Sequence, residues 1–399
     1  MTRTLRLRKN EEHRLRGGHL WVYSNEIDVA ATPLTGFAPG DLADLVDHRD
    51  RPLGTAYVNP HSLLCARLLG RETGLVPDAA WFRHRIETAA ALRTRLFERP
   101  FYRLVYGEGD ALPGLVIDRY DDVFTVQLTT AGMERRKDDI LTALQETYRP
   151  RSVVFRNDAP IRALEGLSPY VEAVPAPPER VTVEENGLRF ELEALTGQKT
   201  GWFYDHRLNR ARLPAYVRGR RVLDVFSYTG AWGVQAAAGG ARQVLCIDES
   251  RAALELLLHN ARLNDVADRV EARHGEAFAM LKTLREAGET FDVIVLDPPA
   301  FIKRRKDKAA GTRAYQRLNQ LAMQLIGADG ILIAASCSFH LAADELRTAL
   351  HQAAHHLGRE LQILEQGHQG PDHPVHPAIP ETAYLKCFIA RVHGGDAAS

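Results

Sequence analysis

Two residues with the means for covalent chemistry stand at the ends of two apolar runs. Asp297 closes FDVIVLD, ahead of Pro298 and Pro299, and Cys337 follows GILIAAS. Each run is short, rich in β-branched residues and free of alternation, which predicts buried strands of a parallel sheet. In an open α/β sheet, ligands bind beyond the carboxyl ends of the strands, so a carboxylate and a thiol carried there can meet on one substrate. An ionised thiol is a nucleophile, and a carboxyl group can move a proton in the same step. Cys337 sits just past its run between Ser336 and Ser338, whereas Cys65, Cys246 and Cys387 lie inside LLCARLL, VLCID and LKCFIA and read as small buried hydrophobes. The two prolines after Asp297 hold it in an extended, strand-ending setting. Between the two runs, Lys303, Arg304, Arg305, Lys306 and Lys308 form a basic loop able to hold a phosphate backbone.

The elements that must position these groups begin near residue 191, where strand and helix patterns alternate. Arg221 to Phe226 is predicted as a strand, Ser227 to Gly230 as a tight turn, Ala231 to Gly239 as a short helix, and Gln243 to Asp248 as the next strand. This is a nucleotide-binding βαβ arrangement, in which the acid ending the second strand can accept hydrogen bonds from ribose hydroxyls. The glycines are Gly230 and Gly233, and Phe226 stands where a dinucleotide site has its first glycine. A pyrophosphate-bearing cofactor, and with it a nicotinamide oxidoreductase, therefore has little support.

Residues 1–72 carry strand-sized pieces (TLRLRK, DLADLVDH, PLGTAYV, LLCARLL) separated by glycine and proline turns. The opening is locally basic, with Arg14 and Arg16 just ahead of Gly17 to Glu26, a glycine turn with Trp21 and Tyr23 that could press on an RNA backbone. Residues 73–190 predict an amphipathic helix from Asp78 to Phe97, two or three strands, and a second helix near Arg135 to Tyr148. The Pro-rich stretch 174–181 reads as a connector into a hairpin turned by Asn186-Gly187. Lys plus Arg and Asp plus Glu are 51 each over 399 residues, so a nucleic-acid partner must be held by local patches. The four cysteines are scattered, which argues against a zinc site or a disulfide framework and for a reducing cytoplasm. No apolar run approaches the length of a membrane span or a signal peptide.

From residue 221 onward the chain resembles the class I S-adenosylmethionine-dependent methyltransferases, whose cofactor carries ribose and adenine without a pyrophosphate. DVFSYTG, then Asp248, then Glu276 after a third strand, then DPPAF, looks like the RNA-modifying branch of that fold. KNEEHRLRGGHLWVYSNEI with NPHSLLCARLL is similar to an N-terminal PUA domain, an RNA-binding module. TGQKTGWFYDHRLNR resembles the segment leading into the catalytic domain, and SCS completes a likeness to the ribosomal RNA large subunit methyltransferase I family over nearly the whole chain. The likeness implies an α/β protein with a PUA domain (1–72), a small α+β central domain (73–190) and a Rossmann-like methyltransferase domain (191–399).

Carried over by position, the resemblance places Asp224, Phe226, Ser227, Thr229 and Gly230 around the methionine portion of S-adenosylmethionine. Asp248 would bind ribose, Glu276 (where aspartate is more usual) would face the adenine amino group, and Asp297 would sit at the reactive end. Gln198, Lys199, Thr200, Gly201, Phe203, Asp205 and Arg207 are expected near the same pocket, and His206, often glutamine in relatives, receives no role. Family members methylate cytosine C5 in 23S rRNA, which implies Cys337 as the nucleophile that adds to C6 and Asp297 as the group engaging N3 and the exocyclic amine. His340 would assist proton removal or cap the following helix. Phe301 with Lys303, Arg304 and Arg305 would hold a flipped base, and Arg14 and Arg16 would contact RNA. The resemblance further implies a homodimer, and exposed bases favour 23S rRNA that is free or incompletely assembled. The rivals are a uracil-C5 methyltransferase, a guanine or adenine N-methyltransferase, which needs no thiol, and an RNA-binding assembly factor with a vestigial pocket.

Overall fold

Strand and helix follow the sequence pattern closely in the C-terminal half. The runs RVLDV, QVLCID and FDVIVL become β1 (Arg221–Val225), β2 (Gln243–Asp248) and β4 (Phe291–Leu296), almost wholly buried because helices cover the sheet. With β3 (Val270–His274), β5 (Ile326–Ser336), β6 (Glu360–Gly367) and β7 (Lys386–His393) they make a seven-stranded sheet of order β3-β2-β1-β4-β5-β7-β6. The first five strands are parallel to their neighbours, and β7 runs antiparallel to both β5 and β6. Strand order reverses between β1 and β4, which is the place where open α/β sheets bind ligands.

The longer helices of this half are α1 (Gly233–Ala238), α2 (Arg251–Leu263), α3 (Ala277–Glu286), α4 (Lys308–Met323) and α5 (Ala343–His356). Leu223, Val225, Leu245 and Ile247 pack with α3, α4 and α5 in one large core. Their sequence neighbours point to the opposite face, as strand alternation requires, so Asp224 and Cys246 lie under α1. Strand β1 ends at Val225, one residue earlier than predicted, because Phe226 turns into the left-handed region; α1 likewise starts at Gly233 rather than Ala231.

This computed structural model describes residues 3–195, 197 and 200–394, so Gln198 and Lys199 lie outside the described residues. The chain forms two compact units: Met1–Val183 with Glu193–Tyr204 and Pro371–Thr382, and Glu184–Leu192 with Asp205–Gly370 and Ala383–Ser399. The first unit holds two five-stranded sheets. One is built from Arg3–Arg6, Trp21–Val22, Asp41–Val46, Pro52–Val58 and Ala66–Gly70, around a core that includes Leu5, Leu45, Val58 and Ile379. The other runs from Phe101 to Val174 and is covered by helices Ala79–Leu96 and Lys137–Tyr148. Asp78 caps the first of these helices, accepting from the Trp81 N–H at 2.9 Å. The Asn186-Gly187 turn has φ of 52° and 80°, the left-handed pair a tight hairpin needs. No helix among the described residues is long and apolar enough to cross a membrane.

Candidate active site

The turn after β1 is built on three left-handed residues, Phe226, Tyr228 and Gly230, with φ of 68°, 47° and 92°. Such a conformation costs a bulky residue of order 1–3 kcal/mol and persists only where the surroundings impose it. Phe226 thus takes the backbone shape expected of the missing glycine while its ring packs on the core. The imposing contacts are visible. Phe226 and Ser227 both donate their N–H to the Ile247 carbonyl at 3.0 Å, and the Tyr228 N–H donates to Asp248 Oδ2 at 2.9 Å. Gly230 is required for space as well, since a Cβ there would come within 2.8 Å of Leu257 and Val234 side chains. The buried Thr229 offers a hydroxyl with no hydrogen-bond partner among the described residues.

Asp224 is fully buried beneath this turn, and neither of its carboxylate oxygens has a hydrogen bond of good geometry among the described residues. Burial, reinforced by the Asp297 charge, pushes its carboxyl up to about 8, against the pull of the Gly233 backbone and of Arg210. A buried, unsatisfied acid needs an explanation, and a ligand cation arriving beside it supplies one. Gly233 lets α1 pack this close to the acid, since a Cβ there would lie 2.3 Å from Cys246 Sγ and 3.0 Å from Asp224 Oδ2.

Asp248 does two things at once. Oδ2 holds the Tyr228 N–H and Oδ1 accepts from the Ser250 N–H at 2.9 Å, and each oxygen retains a lone pair for ligand hydroxyls. Glu276 is exposed and caps α3 through both oxygens, accepting from Phe278 and Ala279 N–H groups at 3.1 and 2.8 Å.

Asp297 follows β4 and is half-buried. Trp232 Nε1 donates to its Oδ2 at 3.0 Å, and His206 Nε2 stands 3.3 Å from its Oδ1. Burial favours the neutral acid, but His206 and the Trp232 hydrogen bond outweigh it, and the carboxyl lies below its ordinary range. Trp232 is itself braced, with the Arg210 guanidinium 5.9 Å from its ring and Arg210 clamped by Glu185 at 2.6 and 2.9 Å. His206, given no role from the sequence, therefore belongs to the site. Asp205 accepts from the Tyr384 hydroxyl at 2.5 Å, and Arg207 lies 3.8 Å from Glu185, so these two brace the same region.

Cys337 leaves the sheet on the strand next to Asp297. Leu296 pairs with Ala334 in the β4/β5 register, so the carboxyl and the thiol emerge at the same edge, from strands about 4.8 Å apart. Cys337 is half-buried, while Cys65, Cys246 and Cys387 are buried. Its loop is fastened from below: the Tyr315 hydroxyl lies 2.9 Å from both Ser336 Oγ and Ser338 Oγ, and Ser338 Oγ accepts from the Ile302 N–H at 3.2 Å. The buried Lys386 amine donates to the Ser338 carbonyl at 2.6 Å and the Tyr384 carbonyl at 2.7 Å. Tyr315 and Lys386 escaped the sequence reading, though a lone lysine in the apolar run YLKCFIA was a visible anomaly.

The half-buried Phe301 ring lies 4.8 Å from that of Tyr315, tilted by 48°, and 6.2 Å from that of Phe278. Lys303, Arg304 and Arg305 are exposed. In the first unit, Arg14 is ion-paired with Glu26 at 2.5 Å and lies over the Tyr23 ring, and Arg16 is paired with Asp47 at 3.0 Å. The start of α5 is capped by Glu345, which accepts from the Ala342 N–H at 2.8 Å, so that task does not fall to His340.

A sheet of this order, with a fully buried acid near the end of its first strand and a second acid ending the next, has the architecture of a class I S-adenosylmethionine-dependent methyltransferase. The profile of the S-adenosylmethionine-dependent methyltransferase family matches residues 125–391, and that of the PUA-like domain matches 5–71. A chain described as an S-adenosylmethionine-dependent methyltransferase from Streptococcus mutans shares the fold with a TM-score of 0.82 at 21% identity, covering 98% of this chain and 100% of its own. The chain belongs to the ribosomal RNA large subunit methyltransferase I family. It is 38% identical to the member from Tolumonas auensis and 36% identical to that from Cronobacter sakazakii, with 98% of this chain and all of each relative aligned.

Proposed function

We propose that this protein methylates C5 of a cytosine in 23S ribosomal RNA, using Cys337 as a covalent nucleophile. The relatives' names point to large-subunit ribosomal RNA; the choice of carbon follows from the thiol. The observation that carries it is the emergence of the half-buried Cys337 beside Asp297 on adjoining parallel strands. Cytosine C5 is too poor a nucleophile by itself. Addition of the Cys337 thiolate to C6 makes C5 enamine-like, dividing one difficult step into easier ones. Bound S-adenosylmethionine supplies an electrophilic methyl group at that carbon. Loss of the C5 proton then lets the C6–S bond break, and the sulfur leaves as thiolate.

Asp297, held ionised in the free protein, accepts from the exocyclic amine and orients the ring; delivery of a proton to N3 requires the bound base to raise its pKa. Asp224 meets the ammonium of the cofactor, and Phe226, Ser227, Thr229 and Gly230 wrap its methionine portion. The free lone pairs of Asp248 take the ribose hydroxyls, and Glu276 lies toward the adenine. The exposed Lys303, Arg304 and Arg305 beside Phe301 follow the RNA backbone around the extruded base, with Arg14 and Arg16 as a second contact.

The test is methyl transfer to protein-free rRNA by the wild type and by Cys337→Ala, read by mass analysis of digested RNA. The expected outcome is 5-methylcytidine with the wild type and none with the variant. RNA carrying 5-fluorocytidine, which has no C5 proton to lose, should leave a denaturation-resistant adduct on Cys337. Methylation retained in Cys337→Ala, or a methyl group found on uracil or on a purine nitrogen, overturns the assignment.

A further inference from the structure

We infer that Lys386 takes the proton from the Cys337 thiol and stands as counter-ion to the thiolate it creates. This rests on Cys337 being the nucleophile. Lys386 lies opposite Ser336 in the antiparallel β5/β7 register. Its side chain reaches forward to the carbonyl of Ser338, the residue after Cys337. The amine therefore flanks the cysteine turn instead of pointing to solvent, and Lys386 is only 8% exposed. Nothing in a sheet edge demands a buried lysine there, and its second anchor, the Tyr384 carbonyl, fixes its direction.

The valence of nitrogen fits the role in both forms. A neutral amine has two N–H donors, which the two carbonyls take, and one lone pair left to receive a proton. An ammonium has a third N–H, which the thiolate can accept. Burial lowers the amine against the opposing charges of Cys337 and Glu345, to about 8 in all, so the neutral form is within reach near neutral pH. The ionisable groups facing this pair are Glu345, itself paired with Lys308 at 2.7 Å, and the Tyr315 hydroxyl behind the thiol. Cys337 and Lys386 then titrate as a unit rather than as two independent groups.

The protons balance. The S–H bond breaks, an N–H bond forms, and the electron pair left on sulfur makes the bond to C6. When that bond breaks, the pair returns to sulfur beside the same ammonium, so the enzyme emerges primed. Lys386, already protonated, is excluded as the acceptor of the C5 proton, which leaves to solvent water.

The test is the pH dependence of Cys337 alkylation by iodoacetamide in the full chain, resolved by peptide mass mapping. The wild type should alkylate with a midpoint at least one pH unit below the ~8.5 of an ordinary thiol. Lys386→Gln keeps two N–H donors for the carbonyls but neither the charge nor the basic lone pair. Its midpoint should rise by more than one unit, and methyl transfer at pH 7 should fall tenfold or more and recover as pH is raised. A wild-type midpoint at or above the ordinary value, or an unchanged midpoint in a folded Lys386→Gln, overturns the inference whatever Cys337→Ala does. Methylation surviving in Cys337→Ala would instead remove the nucleophile on which it rests.

Discussion

His206 presents its Nε2 to Asp297 at 3.3 Å while the Asn209 amide, 3.1 Å away, faces its Nδ1. The same amide nitrogen lies 3.2 Å from the His368 carbonyl, to which it can only donate. Asn209 is therefore the donor toward Nδ1, and the neutral imidazole carries its proton on Nε2, aimed at the carboxylate. A neutral ring in this tautomer already favours ionised Asp297. Replacing His206 by Ala removes that support and lets burial act, so the acid limb of the kcat/KM profile should move to higher pH. His206→Gln, which keeps an N–H donor, should move it less. An acid limb that stays in place with His206→Ala would separate the two residues functionally.

The proposed meeting of Asp224 with the cofactor ammonium predicts proton-linked binding. Its carboxyl, raised to about 8 in the folded chain, is largely protonated at pH 7, and a ligand ammonium beside it favours the ionised form. Binding of S-adenosylmethionine or S-adenosylhomocysteine at pH 7 should release close to one proton, read by calorimetry in buffers of different ionisation enthalpy. Asp224→Asn should abolish the release and weaken binding at least tenfold.

The same group gives the cofactor-free protein a characteristic stability profile. Between the ordinary aspartate value and about 8 the folded state holds a proton that the unfolded chain has lost, so stability falls as pH rises, by roughly 1 kcal/mol per unit, and levels off above pH 8. Asp297 acts with the opposite sign in a lower window, its contribution being present at neutral pH and lost on acidification through its depressed value. Denaturant midpoints between pH 5 and 8.5 should slope downward in the wild type and flatten in Asp224→Asn or on addition of cofactor.

The strand ends were legible because buried parallel strands announce themselves as apolar runs; Asp248, Asp297 and Cys337 sit at such ends, and Asp224 lies in the last turn of pleat before one. What surrounds them was not. His206 and Trp232 are far from Asp297 in sequence and reach it only once β1 and β4 lie side by side. Phe226 reads as the end of a strand, since nothing in a phenylalanine advertises a left-handed backbone; the Ile247 carbonyl and Asp248 impose it from the next strand. The placing of Glu193–Tyr204 and Pro371–Thr382 in the first unit was equally hidden, because these segments have no periodicity of their own and are held by contacts such as Tyr120 with the Thr200 carbonyl and Arg93 with the Asp372 carbonyl.

Gly233 is a position where one methyl group should matter. A Cβ there meets Cys246 Sγ at 2.3 Å and crowds Asp224 Oδ2, and neither belongs to a freely moving chain end. Gly233→Ala should cost about 1–3 kcal/mol of stability, as overpacking typically does, and weaken cofactor binding by displacing Asp224. Cys246→Ala added to it should restore part of the stability but not the binding. A fully stable Gly233→Ala protein would show that α1 can shift away from the sheet at little cost.

The two basic patches differ in how much each can give to RNA. Arg14 and Arg16 are already partnered by Glu26 and Asp47, so a phosphate must compete with a carboxylate and little counterion release follows. Lys303, Arg304 and Arg305 are exposed and carry no ion pair among the described residues, so each phosphate they engage displaces counterions in full. Replacing Arg304 and Arg305 by Ala should lower the slope of log K against log salt by about two phosphate contacts, whereas Arg14→Ala with Arg16→Ala should lower it by about one or less. Filter binding to protein-free rRNA fragments between 50 and 300 mM salt measures both slopes. Equal losses would mean that RNA opens the Arg14–Glu26 and Arg16–Asp47 pairs on binding, and a larger loss from the arginines of the first unit would move the principal RNA contact there.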